Sequence, residues 1–252
     1  MLGENQQYIR SMQLRRHEIN DYEKYPFCLP AIHDLTELHF HPRVTFIVGE
    51  NGTGKSTILE AIAVAWGFNP EGGTINFSFS SRASHSNLYE YVRLIKGVKK
   101  PRNGFFLRAE SFYNLSTNIE ELDAGSGGPS IISSYGGRSL HEQSHGEAFF
   151  ATFNHRFGPQ GLYILDEPEA ALSPLRQMAI ISRLHNLVQR NSQFIIATHS
   201  PILMAYPDAA ILQFNQNGFT EVEYEQTDHF LIMKDFINNP QKMLKILMDS
   251  DC

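Results

Sequence analysis

The fold is indicated by one stretch of sequence, Val44-Thr45-Phe46-Ile47-Val48-Gly49-Glu50-Asn51-Gly52-Thr53-Gly54-Lys55-Ser56. Its first five residues are uncharged and mostly apolar, which is typical of a buried strand. They lead directly into Gly49–Ser56, which matches the pattern G-x-x-x-x-G-K-[ST]. Apolar residues then recur with helical spacing from Ser56 to Trp66. A strand, a glycine-rich loop and a helix in this order predict a phosphate-binding loop.

The residue types in this loop suit a nucleotide phosphate. Glycines let the backbone curl so that its N–H groups point inward at phosphate oxygens. The start of the following helix adds a partial positive charge. We expect Lys55 to contact the β- and γ-phosphates of ATP and Ser56 to supply a hydroxyl ligand to Mg²⁺. The residues predicted to bind the nucleotide are Glu50, Asn51, Gly52, Thr53, Gly54, Lys55, Ser56 and Thr57.

Polar residues also follow two later apolar strands. Asp166 and Glu167 come directly after Leu162-Tyr163-Ile164-Leu165, and His199 comes just past Phe194-Ile195-Ile196-Ala197. The carboxyl ends of parallel strands share one sheet edge, so all three should face the phosphate-binding loop. We expect Asp166 to hold Mg²⁺, Glu167 to act as general base toward water, and His199 to donate to the γ-phosphate. The predicted catalytic residues are Lys55, Glu167 and His199.

Apolar strands alternate with helical patterns along most of the chain. A helix opened by Ser173-Pro174 should reach about Arg190, and helices from Asp228 should break at Asn239-Pro240. The other predicted elements are strands at Phe105-Phe106-Leu107 and at Ile75, Phe77 and Phe79, a hairpin of 210–214 and 219–224 around Asn217-Gly218, apolar positions Leu175, Met178, Leu184, Leu187 and Val188 on the helix after Ser173, and either helix or strand over 88–95. The pattern predicts an α/β fold with a largely parallel sheet flanked by helices.

Composition narrows the class of protein. The chain has 252 residues, of which 42% are hydrophobic and 19% charged, which excludes a mainly disordered chain. No apolar run reaches the ~20 residues of a membrane span, and the start lacks the pattern of a secretory signal. Two cysteines, Cys28 and the terminal Cys252, favour a reducing cytoplasmic location over a disulfide framework.

The basic residues are concentrated in one segment. Between Arg82 and Arg108 there are seven basic residues and one acidic residue, Glu90, in a chain of net charge −6. The part 93–102 either contacts nucleic-acid phosphates or forms a solvated charged turn. A second biased stretch, 123–130, is rich in Gly and Ser and is predicted to be a mobile loop.

The order of motifs resembles that of the ABC-class ATPases. The matching elements are Gly49–Ser56, Ser144-His145-Gly146-Glu147, Leu165-Asp166-Glu167-Pro168, Ala171-Leu172-Ser173 and Thr198-His199-Ser200. The resemblance implies a homodimer that sandwiches two ATP molecules, with Ser144 and Gly146 contacting the γ-phosphate held by the other copy. Compared with the usual Leu-Ser-Gly-Gly-Gln, His145 replaces a glycine and Glu147 replaces the glutamine. The family resemblance also implies that Ala171-Leu172-Ser173 crosses the dimer interface.

A second departure concerns the glutamine that family members carry after the strand following the first helix. Here Arg108-Ala109-Glu110-Ser111 stands at that place, without a glutamine. Either Glu110 or Ser111 contacts Mg²⁺ or water, or Glu110 pairs with Arg108. We place Glu110 with Ser56 and Asp166 as candidate metal ligands and expect Glu169 at the surface. Tyr22, Tyr25 and Phe27 are candidate adenine-stacking rings, and core or surface positions are the alternatives.

The segments Glu50-Asn51-Gly52, Arg108-Ala109-Glu110 and Thr198-His199-Ser200-Pro201 resemble those of a soluble predicted-ATPase or DNA-repair-like branch. Only 88 residues lie between Lys55 and Ser144, which is too few for the long coiled-coil insertion of the chromosome-maintenance and DNA-repair ATPases. The function expected is an ATP-dependent dimeric switch or motor, associated with DNA. The alternative is the nucleotide-binding subunit of a membrane transporter or of another effector complex. We expect one domain over 1–252, with a helical subdomain near 112–160 and a C-terminal hairpin with helices over 209–252.

Overall fold

A computed structural model describes residues 1–3, 6–75, 86–125, 130–216 and 218–249. Over these residues the strands are β1 Ile9–Leu14, β2 Glu37–His39, β3 Val44–Gly49, β4 Val92–Lys96, β5 Asn103–Arg108, β6 Gly161–Asp166, β7 Gln193–Ala197, β8 Ala210–Asn215 and β9 Gly218–Glu221. The α-helices are α1 Pro30–His33, α2 Lys55–Trp66, α3 Phe112–Gly125, α4 His145–Arg156, α5 Pro174–Gln189, α6 Pro201–Met204, α7 Asp228–Asn238 and α8 Pro240–Met248.

The main sheet has six strands in the order β5-β6-β7-β3-β8-β9. Every neighbouring pair is parallel except the β8–β9 hairpin. Strands β3, β6 and β7 are buried along their whole length, as parallel strands covered by helices on both faces must be. The predicted α/β fold with a largely parallel sheet is therefore confirmed.

Alternate residues of β3 fill the two faces of this sheet. Ile47 packs in one apolar core with Ile58 and Ile62 of α2. Phe46 and Val48 point to the other face, in a second core that includes residues of α3, α4 and α5. Fully burying a side chain of this size stabilises the fold by about 1.5–3 kcal/mol. Because β3 packs into a core on each face of the sheet, it fixes the position of the loop that follows it.

A smaller antiparallel sheet, in the order β2-β1-β4, lies beside the α2 face. Gln193, at the start of β7, ties the two sheets together, because its side-chain oxygen accepts the backbone N–H groups of Tyr8 and Ile9 at 2.9 and 3.0 Å. The segment 88–95, for which the sequence predicted either a helix or a strand, contains both. A 3₁₀ helix covers Asn87–Tyr91, and β4 follows it.

Helix α5 begins after its Ser173 cap, as predicted, but two of its expected core positions are wrong. Leu175 and Met178 are 73% and 51% exposed. The buried stripe of α5 includes Ile180 and Leu184. Because an α-helix turns by about 100° per residue, Leu175 and Met178 lie on the opposite side of the helix from that stripe.

The C-terminal elements form as predicted. Strands β8 and β9 pair as a hairpin, and a break at Asn239 separates α7 from α8. Strand β9 ends at Glu221, whereas Tyr224 begins a 3₁₀ turn. Large apolar side chains exposed on α7 and α8 are Leu231, Ile232, Met233, Phe236, Ile237, Leu244, Ile246, Leu247 and Met248.

Several predictions fall on residues outside the described ranges. They are the strand at Phe77 and Phe79, the contribution of Arg82, positions 126–129 of the Gly- and Ser-rich stretch, the hairpin residue Asn217, and Cys252. The first three positions of that stretch, 123–125, belong to helix α3 and not to a loop. Among the helices in the described part of the chain, none is long and apolar enough to cross a bilayer. The division into a subdomain near 112–160 and a C-terminal part over 209–252 stays a prediction.

Candidate functional site

The predicted site residues lie where neighbouring parallel strands end. In the register of the sheet, Arg108 is opposite Asp166, and Asp166 is opposite Ala197. Ile47, two residues before the phosphate-binding loop, is opposite Ala197 on the other side. The register thus brings the end of β5, the acidic end of β6, the histidine turn after β7 and the loop after β3 to one edge.

The loop between β3 and α2 has the conformation that its glycines permit. Gly52 and Gly54 have φ of 80° and 104°, in the left-handed region that side chains disfavour. At Gly54 a Cβ would also lie 3.3 Å from the Cβ of Leu29. Below the loop, the backbone N–H of Ala31 in α1 donates to the Thr53 carbonyl at 3.0 Å. Helix α1 therefore supports the backbone of the loop in this conformation.

Lys55 is the buried cation of the loop. Its Nζ donates to the backbone oxygens of Gly49 and Glu50 at 2.8 and 2.7 Å. Burial lowers the pKa of Lys55, although the nearby carboxylates of Glu167, Asp166, Glu169 and Glu50 oppose that shift. Among the described residues the hydrogen-bond partners of this ammonium are two carbonyl oxygens and no carboxylate, so its charge can pair with a phosphate chain.

The remaining loop residues differ in exposure. Glu50, Asn51 and Gly52 form an exposed crest, whereas Thr53 is buried and Thr57 half-buried.

Ser56 and Asp166 meet across the edge of the sheet. The Ser56 hydroxyl donates to Asp166 Oδ1 at 3.0 Å. Burial raises the pKa of Asp166 to about 6, against the opposing effects of Arg108 and of the Ser56 hydroxyl. A hydroxyl beside a carboxylate whose charge is poorly solvated is a donor pair that Mg²⁺ prefers. These residues therefore fit the metal that the sequence predicts.

Arg108 is a site residue that the sequence predicted only as part of the basic segment and as a possible partner of Glu110. Its Nη1 is 2.6 Å from Glu60 Oε2 of α2, and its Nε is 3.7 Å from Asp166 Oδ2. Its side chain is only 17% exposed. Position at a strand end beside Asp166 is the signal that could have identified it, because parallel register places the two together.

Glu110 and Ser111, the candidates for the missing glutamine, have different surroundings. Glu110 is 84% exposed and lies 3.4 Å from Arg108 Nη2. The Ser111 hydroxyl donates to the Glu71 carbonyl at 2.7 Å and is thereby engaged. A cavity of about 340 Å³ is lined by Glu110, Arg108 and Ser56 together with further polar residues. The predicted metal role of Glu110 stays a prediction.

Glu167 and His199 face each other after β6 and β7. The Nε2 atom of His199 is 3.7 Å from Glu167 Oε1. Glu167 has a φ of 51°, which is uncommon for a residue with a side chain and recurs at active sites. Its backbone N–H donates to the Ala197 carbonyl at 2.9 Å. The strained turn thus aims the Glu167 carboxylate at the histidine.

Glu169 is not the surface residue that the sequence analysis expected. Its Oε1 accepts the backbone N–H of His199 at 2.5 Å. Burial raises the pKa of Glu169, against hydrogen bonds from the His199 backbone and from Thr198. The prediction was wrong because the tight turn after Glu167, closed by the Ala170 N–H on the Glu167 carbonyl, directs this side chain inward.

The helix that begins after Ser144 presents its N-terminus to solvent. The Ser144 hydroxyl oxygen accepts the Glu147 backbone N–H at 3.4 Å, and the Ser144 backbone N–H donates to Glu147 Oε2 at 3.0 Å, which forms a capping box. Ser144 is exposed and Gly146 is buried. Among the described residues, no hydrogen bond or ion pair joins Ser144 or Gly146 to the loop 49–56.

Gly146 packs against the 171–173 loop. A Cβ on Gly146 would lie 2.3 Å from the Ala171 carbonyl oxygen, so only glycine fits there. The same loop is linked to the histidine turn, because the Gln177 side chain donates to the Leu172 carbonyl at 3.0 Å and accepts the Ser200 hydroxyl at 2.6 Å. The exposed helix start and the acidic edge are thus parts of one packed unit.

The three candidate adenine-stacking rings differ in how deeply they are buried. Phe27 is buried, with its ring edge-on to Tyr91. Tyr22 stacks under the Arg16 guanidinium at 4.9 Å. Tyr25 is 63% exposed and lines the cavity beside Ser56. Of the three, Tyr25 has the exposure and the position that an adenine-stacking ring needs.

The fold just described is shared with solved ATP-binding cassettes. The chain belongs to the AAA domain family, whose sequence profile matches residues 18–196. A nucleotide-free ATP-binding cassette from an ABC transporter superposes with a TM-score of 0.51 at 17% identity, over 93% of this chain and 96% of that one. At this identity the likeness concerns the fold alone.

Two further similarities are weaker, one in the share of the other protein that is covered and one in the TM-score. ABC transporter G family member STR2 from Medicago truncatula is 25% identical over 187 residues, 68% of this chain. The chain spans only 25% of that curated relative's length. The SMC head domain from Thermotoga maritima gives a TM-score of 0.46 at 16% identity, over 86% of this chain and 98% of that one, which is too low for a functional argument. The DNA-repair-like branch stays a prediction.

Proposed function

We propose that this chain hydrolyses ATP to ADP and phosphate with Mg²⁺, and that two copies together form the complete reaction centres. One observation carries the proposal. The buried ammonium of Lys55, the Ser56–Asp166 pair and the Glu167–His199 pair occur at one sheet edge. A cation, a metal-binding donor pair and a carboxylate base with a hydrogen-bond donor are the groups that phosphoryl transfer to water requires.

The residues divide the chemistry as follows. Lys55 binds the β- and γ-phosphates, and Ser56 and Asp166 hold Mg²⁺, which neutralises phosphate charge when bound. Glu167 orients the attacking water and accepts its proton as the new P–O bond forms and the bond to ADP breaks. His199 donates a hydrogen bond to the terminal phosphate.

The site of one copy lacks one element that the family resemblance implies. Helix α4 begins with an exposed Ser144, and its N-terminal N–H groups and partial positive charge suit an anion. Because nothing described joins this helix start to the loop of the same copy, we propose that Ser144 and Gly146 bind the γ-phosphate held by a second copy. The proposed assembly is a homodimer with two shared sites.

Dilution tests the shared site. We expect phosphate release per molecule to fall when the purified protein is diluted about 100-fold with saturating Mg²⁺ and ATP, because mass action dissociates the dimer. Added EDTA should stop release at every concentration. A specific activity that stays constant on dilution, with a monomer in sedimentation, would contradict the shared site while leaving hydrolysis itself intact.

A basic edge favours nucleic acid as the coupled partner. Arg93, Lys96, Lys99, Lys100 and Arg102 are exposed, and within the described part of the chain none of them belongs to an ion pair. The side-chain contacts described for these residues are with uncharged groups, Gln6 Oε1 at 2.9 Å from Lys99 Nζ and the Trp66 ring at 4.3 Å from Lys96 Nζ. Charges without an acidic partner are available to phosphates. We therefore propose that DNA or RNA binds along 93–102.

Charge reversal tests this edge. The double variant Lys99→Glu, Lys100→Glu should weaken DNA binding and lower the slope of log affinity against log salt by about 2, because each lysine contributes about 1 to that slope. Fluorescence anisotropy across a salt series measures both. The control is Lys234→Glu, Lys245→Glu, which changes net charge equally on the C-terminal helices. Equal losses in the two double variants would contradict a defined site.

The alternative partner is another protein chain, of a transporter or an effector complex. The exposed apolar side chains of α7 and α8 favour it, because apolar patches of this kind mark protein contacts. An ATPase titration discriminates between the partners. Stimulation by DNA or RNA supports the basic edge, whereas indifference to both, with stimulation by membrane extract, supports a partner chain.

A further inference from the structure

A second histidine lies against His199. The Nδ1 atom of His199 is 3.0 Å from the Nε2 atom of His229, in the first turn of α7. Their ring centroids are 5.2 Å apart at an interplanar angle of 56°. His229 comes after residue 196, where the family match ends, and the motifs of the sequence analysis do not include it.

The start of α7 is fixed in place. The buried Thr227 caps the helix, and its hydroxyl accepts the Phe230 N–H at 3.2 Å. Asp228 is held on both sides by Gln213 of β8, whose amide donates to the Asp228 carboxylate at 3.0 Å and accepts the Asp228 N–H at 3.2 Å. The position of His229 is therefore set by the main sheet.

Two imidazole nitrogens 3.0 Å apart form a hydrogen bond only if one of them carries a proton. If His199 carries it on Nδ1, the bare Nε2 of His199 faces the Glu167 carboxylate, 3.7 Å away. If His229 carries it on Nε2 and donates, the proton of His199 sits on Nε2, toward that carboxylate. The second arrangement avoids two lone pairs facing each other.

We propose that His229 is a positioning residue for His199: its Nε2–H donates to His199 Nδ1 and thereby keeps the His199 proton on Nε2, where it can be donated to the terminal phosphate. The inference rests on the proposed ATPase function. It assigns to helix α7 a role in the reaction centre, because α7 sets the tautomer of a residue after β7.

The orphaned ring nitrogens support this assignment. His199 Nε2 and His229 Nδ1 are both buried, and neither has a hydrogen-bond partner among the described residues. Burial and then the nearby Lys55 charge lower the pKa of both rings, that of His199 to about 4. The charged groups that face the pair are Lys55, Glu167, Glu169 and Asp228. Both rings are thus neutral near pH 7 and carry one N–H each, and one of these two protons lies in the hydrogen bond between the rings.

Nitrogen NMR of the 252-residue chain without nucleotide tests the tautomer directly. Long-range ¹H–¹⁵N correlations should show His199 protonated on Nε2 in the wild type. His229→Gln keeps an amide N–H near the position of Nε2 and should preserve this tautomer, whereas His229→Ala should give a mixture. His185→Gln is the matched control, because His185 pairs through Nδ1 with Tyr206 outside the site at 3.1 Å.

Hydrolysis gives the second readout. His229→Ala should lower kcat about 10- to 100-fold, the loss seen when the hydrogen bond that orients a metal-ligating imidazole is removed, and His229→Gln should recover most of it. A wild-type His199 protonated on Nδ1, or an unchanged tautomer in His229→Ala, would overturn the assignment. If the wild type shows the Nε2 tautomer but hydrolyses no ATP, the proposed function fails and the positioning stands.

Discussion

Lys55→Ala is expected to reduce phosphate release by on the order of 10²–10³-fold, the loss typical when one preorganised donor to a developing charge is removed. The Lys55 ammonium is buried, and its protein partners are two backbone oxygens, of Gly49 and Glu50. When phosphates bind, this charge is the nearest cation of the loop to compensate them. Both nucleotide affinity and turnover should therefore fall.

The experiment needs two measurements and one control. Titration with a fluorescent ATP analogue measures binding, and steady-state phosphate release measures turnover. Lys242→Ala, on the exposed α8 helix, removes the same charge and side chain away from the site and should behave like the wild type. Equal phosphate release from the wild type and Lys55→Ala would identify a contaminant as the source and reject the proposed ATPase.

Local sequence sufficed to predict most of the edge that holds this lysine. The loop residues 49–56 adopt a conformation dictated by glycines and by the strand and helix on either side. Asp166, Glu167 and His199 follow apolar strands, and parallel pairing alone brings the ends of such strands together. Their convergence depends on register and not on details of packing, which is why the pattern predicts it.

The residues that were missed depend on contacts between distant segments. Arg108 has its closest contact with Glu60, 48 positions earlier, and His229 contacts His199, 30 positions earlier. Glu169 points inward because of a turn with positive φ at Glu167, a residue type that seldom adopts it. Neither periodicity nor composition carries such information. Charged residues next to a motif are therefore the positions where sequence-based inference is weakest.

Glu167→Gln is expected to lower the rate of hydrolysis by about 10²–10⁴-fold while ATP binding is retained. The amide has nearly the shape of the carboxylate, so the strained turn at φ 51° and the contact with the histidine edge persist. What is lost is the group that accepts the proton of water. Lys55, Ser56 and Asp166 remain, so the nucleotide still binds.

The bound but uncleaved state should hold two copies together. Sedimentation of Glu167→Gln with Mg²⁺ and ATP should show a dimer, and the same protein without nucleotide a smaller species. Glu121→Gln, which changes an exposed carboxylate on α3, is the control and should turn over like the wild type. A Glu167→Gln protein that hydrolyses ATP at the parent rate would contradict the role of the general base.

Mixing two defective variants then tests which copy supplies which part. Ser144→Arg places a bulky cation at the exposed start of α4 and should block the contribution of that copy to its partner's site. In a heterodimer with Glu167→Gln, one site carries both defects and the other carries neither. If each dimer is symmetric and forms at random, an equimolar mixture should regain roughly a quarter of wild-type activity, although each variant alone is inactive. Absence of recovery in a mixture where heterodimers are demonstrated would mean that each copy hydrolyses ATP with its own residues.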